Sequence, residues 1–370
     1  MTSLFDPIQL GDLVLPNRIA MAPCTRARAG QAGVPSVHNA SYYAQRASAG
    51  LIVSEAVNVA PDSAAFELAP GLYSDAQTTG WRGVAEAVHG AGGRLFAQLW
   101  HSGRVSTYAL LEGREPLAPS AVNEDLHLLQ VYGALANGYY TRIAASPARA
   151  MTRAEVYEAI DAFGRAARNA AAAGLDGVEI HAANGYLPQQ FLSPHANRRD
   201  DEFGGSLAKR ARFLELVLQA VLDEIPAGRV GVRLSPFAAY NNAPDPDTEA
   251  TYTHVARLLS AAGVAYIHAG DTNAWGGAPD MERILAILRP NFGGRIIANG
   301  GLDPVSGAAL VASGQADMVS FGRRFIANPD LVERIHQGGP FNQPDPFTFY
   351  GGGAHGYLDY PTLAPARIPA

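Results

Sequence analysis

GVEIHAANGYLPQQFLSPHANRRDDEFGGS, residues 177–206, is the stretch that decides how this chain folds. It opens on an apolar run, GVEI, of the kind a strand covered on both faces shows. His181 stands at the end of that run, and Asn184 and Tyr186 follow directly. A connection of roughly twenty residues, rich in turns and charges, then leads to the next helical pattern, a length that is uncommon in a compact domain unless it folds over something. One reading is a satisfied surface loop. The other is that three hydrogen-bonding side chains are held at one mouth of a scaffold to grip a ligand.

The scaffold follows from the runs on either side. RIAMAP (18–23), LIVSEA (51–56), RLFAQL (94–99), GVEIHA (177–182), VGVRLS (230–235), VAYIHA (264–269), RIIANG (295–300) and DMVSFG (317–322) alternate with amphipathic, helix-period segments. Thr152 and Glu155 have capping-box spacing, Asp303–Pro304 opens a helix, and Gly174, Gly263 and Gly314 close others. Eight strands alternating with about eight helices predict an α/β fold, a single (β/α)8 TIM barrel. A doubly wound open sheet has the same alternation, but eight units without a linker favour the barrel. We read residues 1–370 as one domain. Residues 102–150 form a long insertion after the third strand, expected to make a hairpin or lid at the C-terminal face, where barrel sites are built.

Composition narrows the chemistry. With 48% hydrophobic and 17% charged residues the chain has the material for a sizeable core. A formal charge of −6 with scattered Lys and Arg argues against nucleic acid and anionic membrane as partners. No apolar stretch reaches the roughly 18 residues of a membrane helix. The start, MTSLFDPIQLGD, carries an acid where a signal peptide needs an apolar core, so a cytoplasmic location is expected. The one cysteine, Cys24, cannot hold an iron–sulfur cluster, and the ten histidines show no metal-ligand spacing. No metal is expected. Demanding chemistry here would use an organic cofactor or plain acid–base groups.

Polar residues crowd the strand ends. In order they are Pro23, Cys24 and Thr25; Glu55 and Ala56; Gln98; His181, Asn184 and Tyr186; Arg233; Asn299, Gly300 and Gly301; and Gly322, Arg323 and Arg324. Any one of them reads best as a structural group. Together they would meet on one rim. NGG (299–301) and FGRR (321–324) end strands seven and eight, where glycines let backbone N–H groups approach a phosphate and an arginine adds charge. Gln98 and Arg233 suit a flat heterocycle with ring carbonyls and nitrogens. GGGAHG (351–356) matches a dinucleotide fingerprint formally, but a Pro-rich segment follows it in place of a helix.

These segments resemble the Old Yellow Enzyme family of FMN-dependent ene-reductases, over nearly the whole chain. The likeness runs from LFDPIQLGDLVLPNRIAMAPCTRARA to FYGGGAHGYLDYPTL, with HAANGYLPQQFLSPHANRRDDEFGGSLAKRARF most specific and QLWHSGR, VGVRLSP and FGRRFIANPDL in support. The long insertion and the C-terminal tyrosine segment are similar to the branch of pentaerythritol tetranitrate, morphinone and xenobiotic reductases. The resemblance implies tightly but non-covalently bound FMN, with NADPH or NADH as hydride donor. It implies reduction of the C=C bond of α,β-unsaturated carbonyl or nitro compounds by ping-pong hydride transfer, in a monomer or homodimer. It implies that Pro23, Cys24, Thr25, Ala56, Gln98 and Arg233 meet the flavin ring, and that Gly300, Gly301, Gly322 and Arg323 hold its phosphate. His181 and Asn184 would bind the substrate carbonyl, Tyr186 would give the proton, and Tyr350, Trp275 and Trp100 would border the substrate.

The chain departs from the family pattern in places. Phe66 stands where a tyrosine is common, and Cys24 precedes the flavin-tuning threonine instead of replacing it. Arg324 follows Arg323, so the sequence does not fix which arginine meets phosphate. Two other readings stay open at this point: a non-redox phosphate-binding barrel enzyme, such as a lyase or isomerase, and a flavin-binding module without turnover. The sole lysine, Lys209, falls on a helical pattern, which argues against Schiff-base chemistry.

Overall fold

The computed structural model describes residues 2–137, 139–238, 240–275 and 279–363. Eight strands form a closed barrel: β1 (Ile19–Met21), β2 (Leu51–Asn58), β3 (Leu95–Trp100), β4 (Gly177–Ala182), β5 (Val230–Leu234), β6 (Tyr266–Gly270), β7 (Arg295–Asn299) and β8 (Met318–Phe321). Every neighbouring pair is parallel, and β8 closes on β1 through Val319–Ile19 and Phe321–Met21. Each strand feeds a helix: α1 (Val37–Ala44), α2 (Asp75–Gly90), α3 (Arg153–Ala172), α4 (Leu207–Leu222), α5 (Thr248–Ala261), α6 (Met281–Leu288), α7 (Pro304–Ala312) and α8 (Leu331–Gln337). The predicted (β/α)8 barrel is the observed fold.

The local signals act as expected. Thr152 and Glu155 form the capping box of α3, and Asp303 caps α7 with Pro304 in its first turn. The main core lies between strands and helices, where Val178, Ile180, Phe163, Leu214 and Val217 are fully or almost fully buried. A second core fills the N-terminal end of the barrel. There the hairpin Ile8–Leu10/Leu13–Leu15 plugs the opening with Ile8, Leu10 and Leu15 against Phe96, Tyr266, Ile297 and Met318. An apolar floor at one end leaves the other end for polar groups.

Two segments cover that other end. In the insertion after β3, strands Val131–Ala134 and Tyr140–Ile143 make an antiparallel hairpin, and Leu117–Ala118 pairs with Arg149–Ala150. The hairpin is tied to the loop after β2 by Tyr132 N–H to Ala65 O (2.9 Å) and Glu67 N–H to Tyr132 O (3.0 Å). Deeper down, Arg104 clasps Asp125 with two bonds of 2.7 and 2.8 Å and donates to Asn242 O at 2.8 Å. The stretch after β4 is less loop-like than its composition suggests. It contains a short helix, Leu187–Leu192, in which every residue is buried and Phe191 stacks on Phe213 of α4 at 4.1 Å.

Candidate active site

The strand ends open into a cleft of about 750 Å³. Pro23, Cys24, Thr25, Ala56, Gln98, His181, Asn184, Tyr186, Arg233, Gly300, Gly301, Gly322, Arg323 and Tyr350 all line it. Trp100 does not. It is fully buried and its ring backs that of Tyr186 at 5.0 Å, so it supports the wall from behind. Trp275 ends a 3-10 turn, Thr272–Trp275, but its side chain lies outside the described residues. Among strand-end residues, Glu55 also faces away from the cleft. A register shift between Val53 and Ala56 lets its buried carboxylate accept the Arg26 and Ala27 N–H groups, both at 2.9 Å. Glu55 thereby fixes the loop that carries Pro23, Cys24 and Thr25.

The turn after β4 answers why so few residues suffice to return the chain over the cleft. Asn184 and Gly185 both have left-handed backbone, φ 59° and 71°, which reverses direction at once. Asn184 N–H donates to Ser235 Oγ (2.8 Å) and its carbonyl accepts from Asn241 Nδ2 (2.9 Å). Gly185 N–H donates to Gln189 Oε1 (2.8 Å), and a Cβ there would lie 2.6 Å from Tyr240 O. Tyr186 then caps the short helix with its ring against His181, edge to face at 5.0 Å.

Electrostatics follow from burial. His181 is 3% exposed, and burial together with the Arg233 guanidinium pushes its imidazole down to about 3, so the ring is neutral. Burial and the neighbouring Tyr350 push the Tyr186 phenol well above its ordinary range, so Oη keeps its proton. Among the described residues, four buried polar atoms of the cleft lining have no protein partner: His181 Nδ1, Asn184 Oδ1, Arg233 Nη1 and Thr272 Oγ1. Buried groups of this kind are normally satisfied, so the four mark places for ligand atoms.

The end of the cleft built by the loops after β7 and β8 is equally specific. Gly300 has φ 136°, and a Cβ on it would sit 2.6 Å from the Asp271 carbonyl oxygen. Cys24 Sγ would lie 2.8 Å from a Cβ on Gly322, so the thiol rests against that glycine. Arg323 is exposed, and Arg324 lies over the Phe341 ring at 5.3 Å; both line the cleft. GGGAHG has a structural role. Arg28 donates to Gly353 O (3.0 Å) and Arg26 to Gly356 O (2.8 Å), which anchors the segment presenting Phe349 and Tyr350.

Tyr132, Tyr240, Asp271, Ser320 and Asn342 also line the cleft and were not singled out from sequence. Tyr132 stacks on Phe66 at 4.8 Å and meets Tyr350 at 5.2 Å. The only sequence signal of Tyr132 and Tyr240 is an aromatic in a segment that follows a barrel strand.

Glycines 300, 301 and 322 beside Arg323 and Arg324, then Gln98 and Arg233, then His181, Asn184 and Tyr186 share one barrel rim, a donor set that fits a phosphorylated flavin and the class of flavin-dependent oxidoreductases. Comparison with known proteins agrees. Residues 3–342 match the model of the NADH:flavin oxidoreductase / NADH oxidase family. The chain is 39% identical over 366 residues to 12-oxophytodienoate reductase 1 of Oryza sativa subsp. japonica, covering 97% of this chain and 93% of that protein. It is 38% identical to a probable flavin mononucleotide-dependent alkene reductase of Leishmania infantum, with 97% of each covered. Morphinone reductase in complex with tetrahydroNAD superposes with a TM-score of 0.93 at 42% identity over 100% of both chains. An old yellow enzyme homologue from Zymomonas mobilis gives 0.90 at 39% identity, over 98% of this chain and 100% of that one. The chain therefore belongs to the NADH:flavin oxidoreductase family, the Old Yellow Enzyme family, and is an FMN-dependent oxidoreductase. That membership sets aside the lyase and isomerase reading. Among the described residues, no helix is long and apolar enough to cross a membrane.

Proposed function

We propose that this protein is an ene-reductase that uses NADH or NADPH to reduce the C=C bond of α,β-unsaturated carbonyl or nitro compounds, in two half-reactions that share one cleft. The observation that carries the reading is the convergence of His181, Asn184 and Tyr186 on the cleft that Gln98, Arg233 and Gly300 also line. Morphinone reductase binds a nicotinamide analogue on the same fold, which supports a nicotinamide donor.

FMN, when bound, supplies the site's capacity to accept and pass on an electron pair as hydride. Pro23, Cys24, Thr25, Ala56, Gln98 and Arg233 would hold its ring, with Gly300, Gly301, Gly322 and Arg323 at its phosphate. Neutral His181 offers an N–H, and the Asn184 amide a second donor, to the oxygen of an activated alkene. Those bonds strengthen as negative charge grows on that oxygen, and each such donor is worth about 3 kcal/mol in the transition state. Tyr186 Oη holds the proton destined for the α-carbon. A phenol with a raised pKa is a poor acid at neutral pH, so it serves only against a strongly basic carbon held in contact.

We read residues 1–370 as one functional unit, with 102–150 as the lid of the cleft; Tyr132 reaches the wall from that insertion. Phe66, Tyr132 and Tyr350 form an aromatic border that selects flat substrates. The test is product analysis with 2-cyclohexenone and NADPH under nitrogen. Stoichiometric cyclohexanone supports the function; NADPH oxidation that proceeds only with oxygen, without alkene reduction, contradicts it.

A further inference from the structure

From the floor of the cleft downward, side chains from six strands form one connected set. Glu179 of β4 is fully buried, and its carboxylate accepts Gln98 Nε2 of β3 at 2.8 Å on one oxygen. The other oxygen lies 2.8 Å from His268 Nδ1 of β6, and His268 Nε2 is 2.7 Å from Ser320 Oγ of β8. Arg233 Nη2 of β5 donates to Asn299 Oδ1 of β7 (2.6 Å), and Asn299 Nδ2 donates to Ser320 O (3.1 Å).

The charges on this set can be assigned. Burial opposes ionisation of Glu179, but hydrogen bonds from His268 Nδ1–H and Gln98 and the nearby Arg233 charge hold the carboxyl below its ordinary range. Burial pushes the His268 imidazole down. His268 is thus neutral, with Nδ1–H donating to Glu179 and Nε2 accepting from the Ser320 hydroxyl. Glu179 is an anion set one layer beneath Arg233, a cation.

We propose that Glu179, braced by His268, is a positioning residue for the flavin: it turns the Gln98 amide nitrogen downward and offsets the Arg233 charge, holding down the reduction potential of bound FMN. The inference rests on the seating of FMN against Gln98 and Arg233 given above. Hydride brings two electrons and one proton, so reduction adds one negative charge to the ring. A cation beside the ring favours that change and an anion opposes it, strongly so in a dry interior.

Glu179→Gln isolates the charge. Glutamine accepts from Gln98 with its oxygen and donates to His268 Nδ1, while the imidazole takes the other tautomer and donates to Ser320. Every bond survives, and the charge goes. His268→Gln does the reverse, because its amide donates to Glu179 and accepts from Ser320 with the carboxylate retained.

Dye-equilibrated potentiometry of the holoproteins should place the E179Q midpoint more positive than wild type and leave H268Q at the wild-type value. An unshifted E179Q, or an H268Q shifted as far as E179Q, overturns the proposal. Where E179Q does not fold, the 15N-histidine spectrum of the wild-type holoprotein decides. Its His268 signal, assigned by its loss in H268Q, should show a protonated Nδ1 and a bare Nε2 at neutral pH; an imidazolium overturns the proposal. Failure of the FMN seating itself looks different. Gln98→Leu should weaken FMN binding to the apoprotein about tenfold if the ring sits on Gln98. An unchanged FMN affinity in Q98L refutes the seating, whereas a weakened Q98L beside an unshifted E179Q refutes only the role of Glu179.

Discussion

The rings of His181 and Tyr186 meet edge to face, 5.0 Å apart at 77°, although one ends a barrel strand and the other opens a helix beyond it. Left-handed backbone at Asn184 and Gly185 makes that meeting possible. On the proposed mechanism this sets a neutral donor, His181, beside the proton carrier, Tyr186. In Tyr186→Phe, reduction of the flavin by NADPH should stay within about twofold of wild type, while reoxidation by an enone slows about 100-fold or more, the usual worth of a placed general acid. Stopped-flow measurement of the two half-reactions separates them. Equal losses in both would remove Tyr186 from the proton-donor role.

His181→Ala deletes one donor to the substrate oxygen. Enone kcat/KM should fall about 100-fold, close to 3 kcal/mol, with FMN affinity unchanged. Phenolic ligands should also bind H181A more weakly in a spectral titration, and an unaltered Kd would place His181 outside the substrate site.

The same imidazole predicts a pH response. Its folded-state pKa of about 3 lies below the ordinary 6.5, so the folded protein keeps it neutral while an unfolded chain would protonate it. Its contribution to stability is complete above about pH 6.5 and is lost as pH falls toward 3. The rate of reoxidation by a non-ionising enone should show no His181 inflection between pH 5 and 8. An inflection near pH 6.5 that vanishes in His181→Asn would show a titrating imidazole.

Gly300→Ala tests the phosphate cradle. Its Cβ would lie 2.6 Å from the Asp271 carbonyl, at a backbone angle that only glycine adopts readily. Fluorescence titration of the apoprotein should show FMN affinity reduced at least about tenfold. Wild-type affinity would mean the phosphate sits elsewhere.

Asp125→Ala tests the anchor of the insertion. Although burial opposes it, hydrogen bonds from Arg104 and Asn242 hold the Asp125 carboxyl at about 2, and the Arg104 head is fully buried. Loss of the carboxylate strands that cation, which typically costs about 3–5 kcal/mol. A urea midpoint equal to wild type would show that the pair does not anchor the insertion.

Much of this molecule was legible in its sequence because barrel physics is repetitive. Eight Val- and Ile-rich runs, each followed by an amphipathic segment, specify the barrel, and the fold then gathers all strand ends on one rim. Gln98, His181 and Arg233 could be singled out because a polar residue at the end of a buried strand needs a reason. Glu55 met the same criterion but serves the backbone of its neighbour, since a local bulge turns it outward. Trp100 stands behind Tyr186, a distinction of depth that residue type does not encode. Tyr132 and Tyr240 reach the cleft from segments without periodicity, and only the folded chain shows them there. The helix Leu187–Leu192 was hidden because its glutamines, polar in composition, are buried and spent on backbone groups, as with Gln190 Nε2 on Ser102 O (2.9 Å).

The most direct measurement of the central claim is an anaerobic spectral titration of the purified protein. The protein should be yellow, bleached by stoichiometric NADH or NADPH and restored to full colour by stoichiometric 2-cyclohexenone without oxygen. A bleached sample that the enone leaves colourless, yet air restores, would contradict it: the protein would be a flavin oxidase with no alkene reduction.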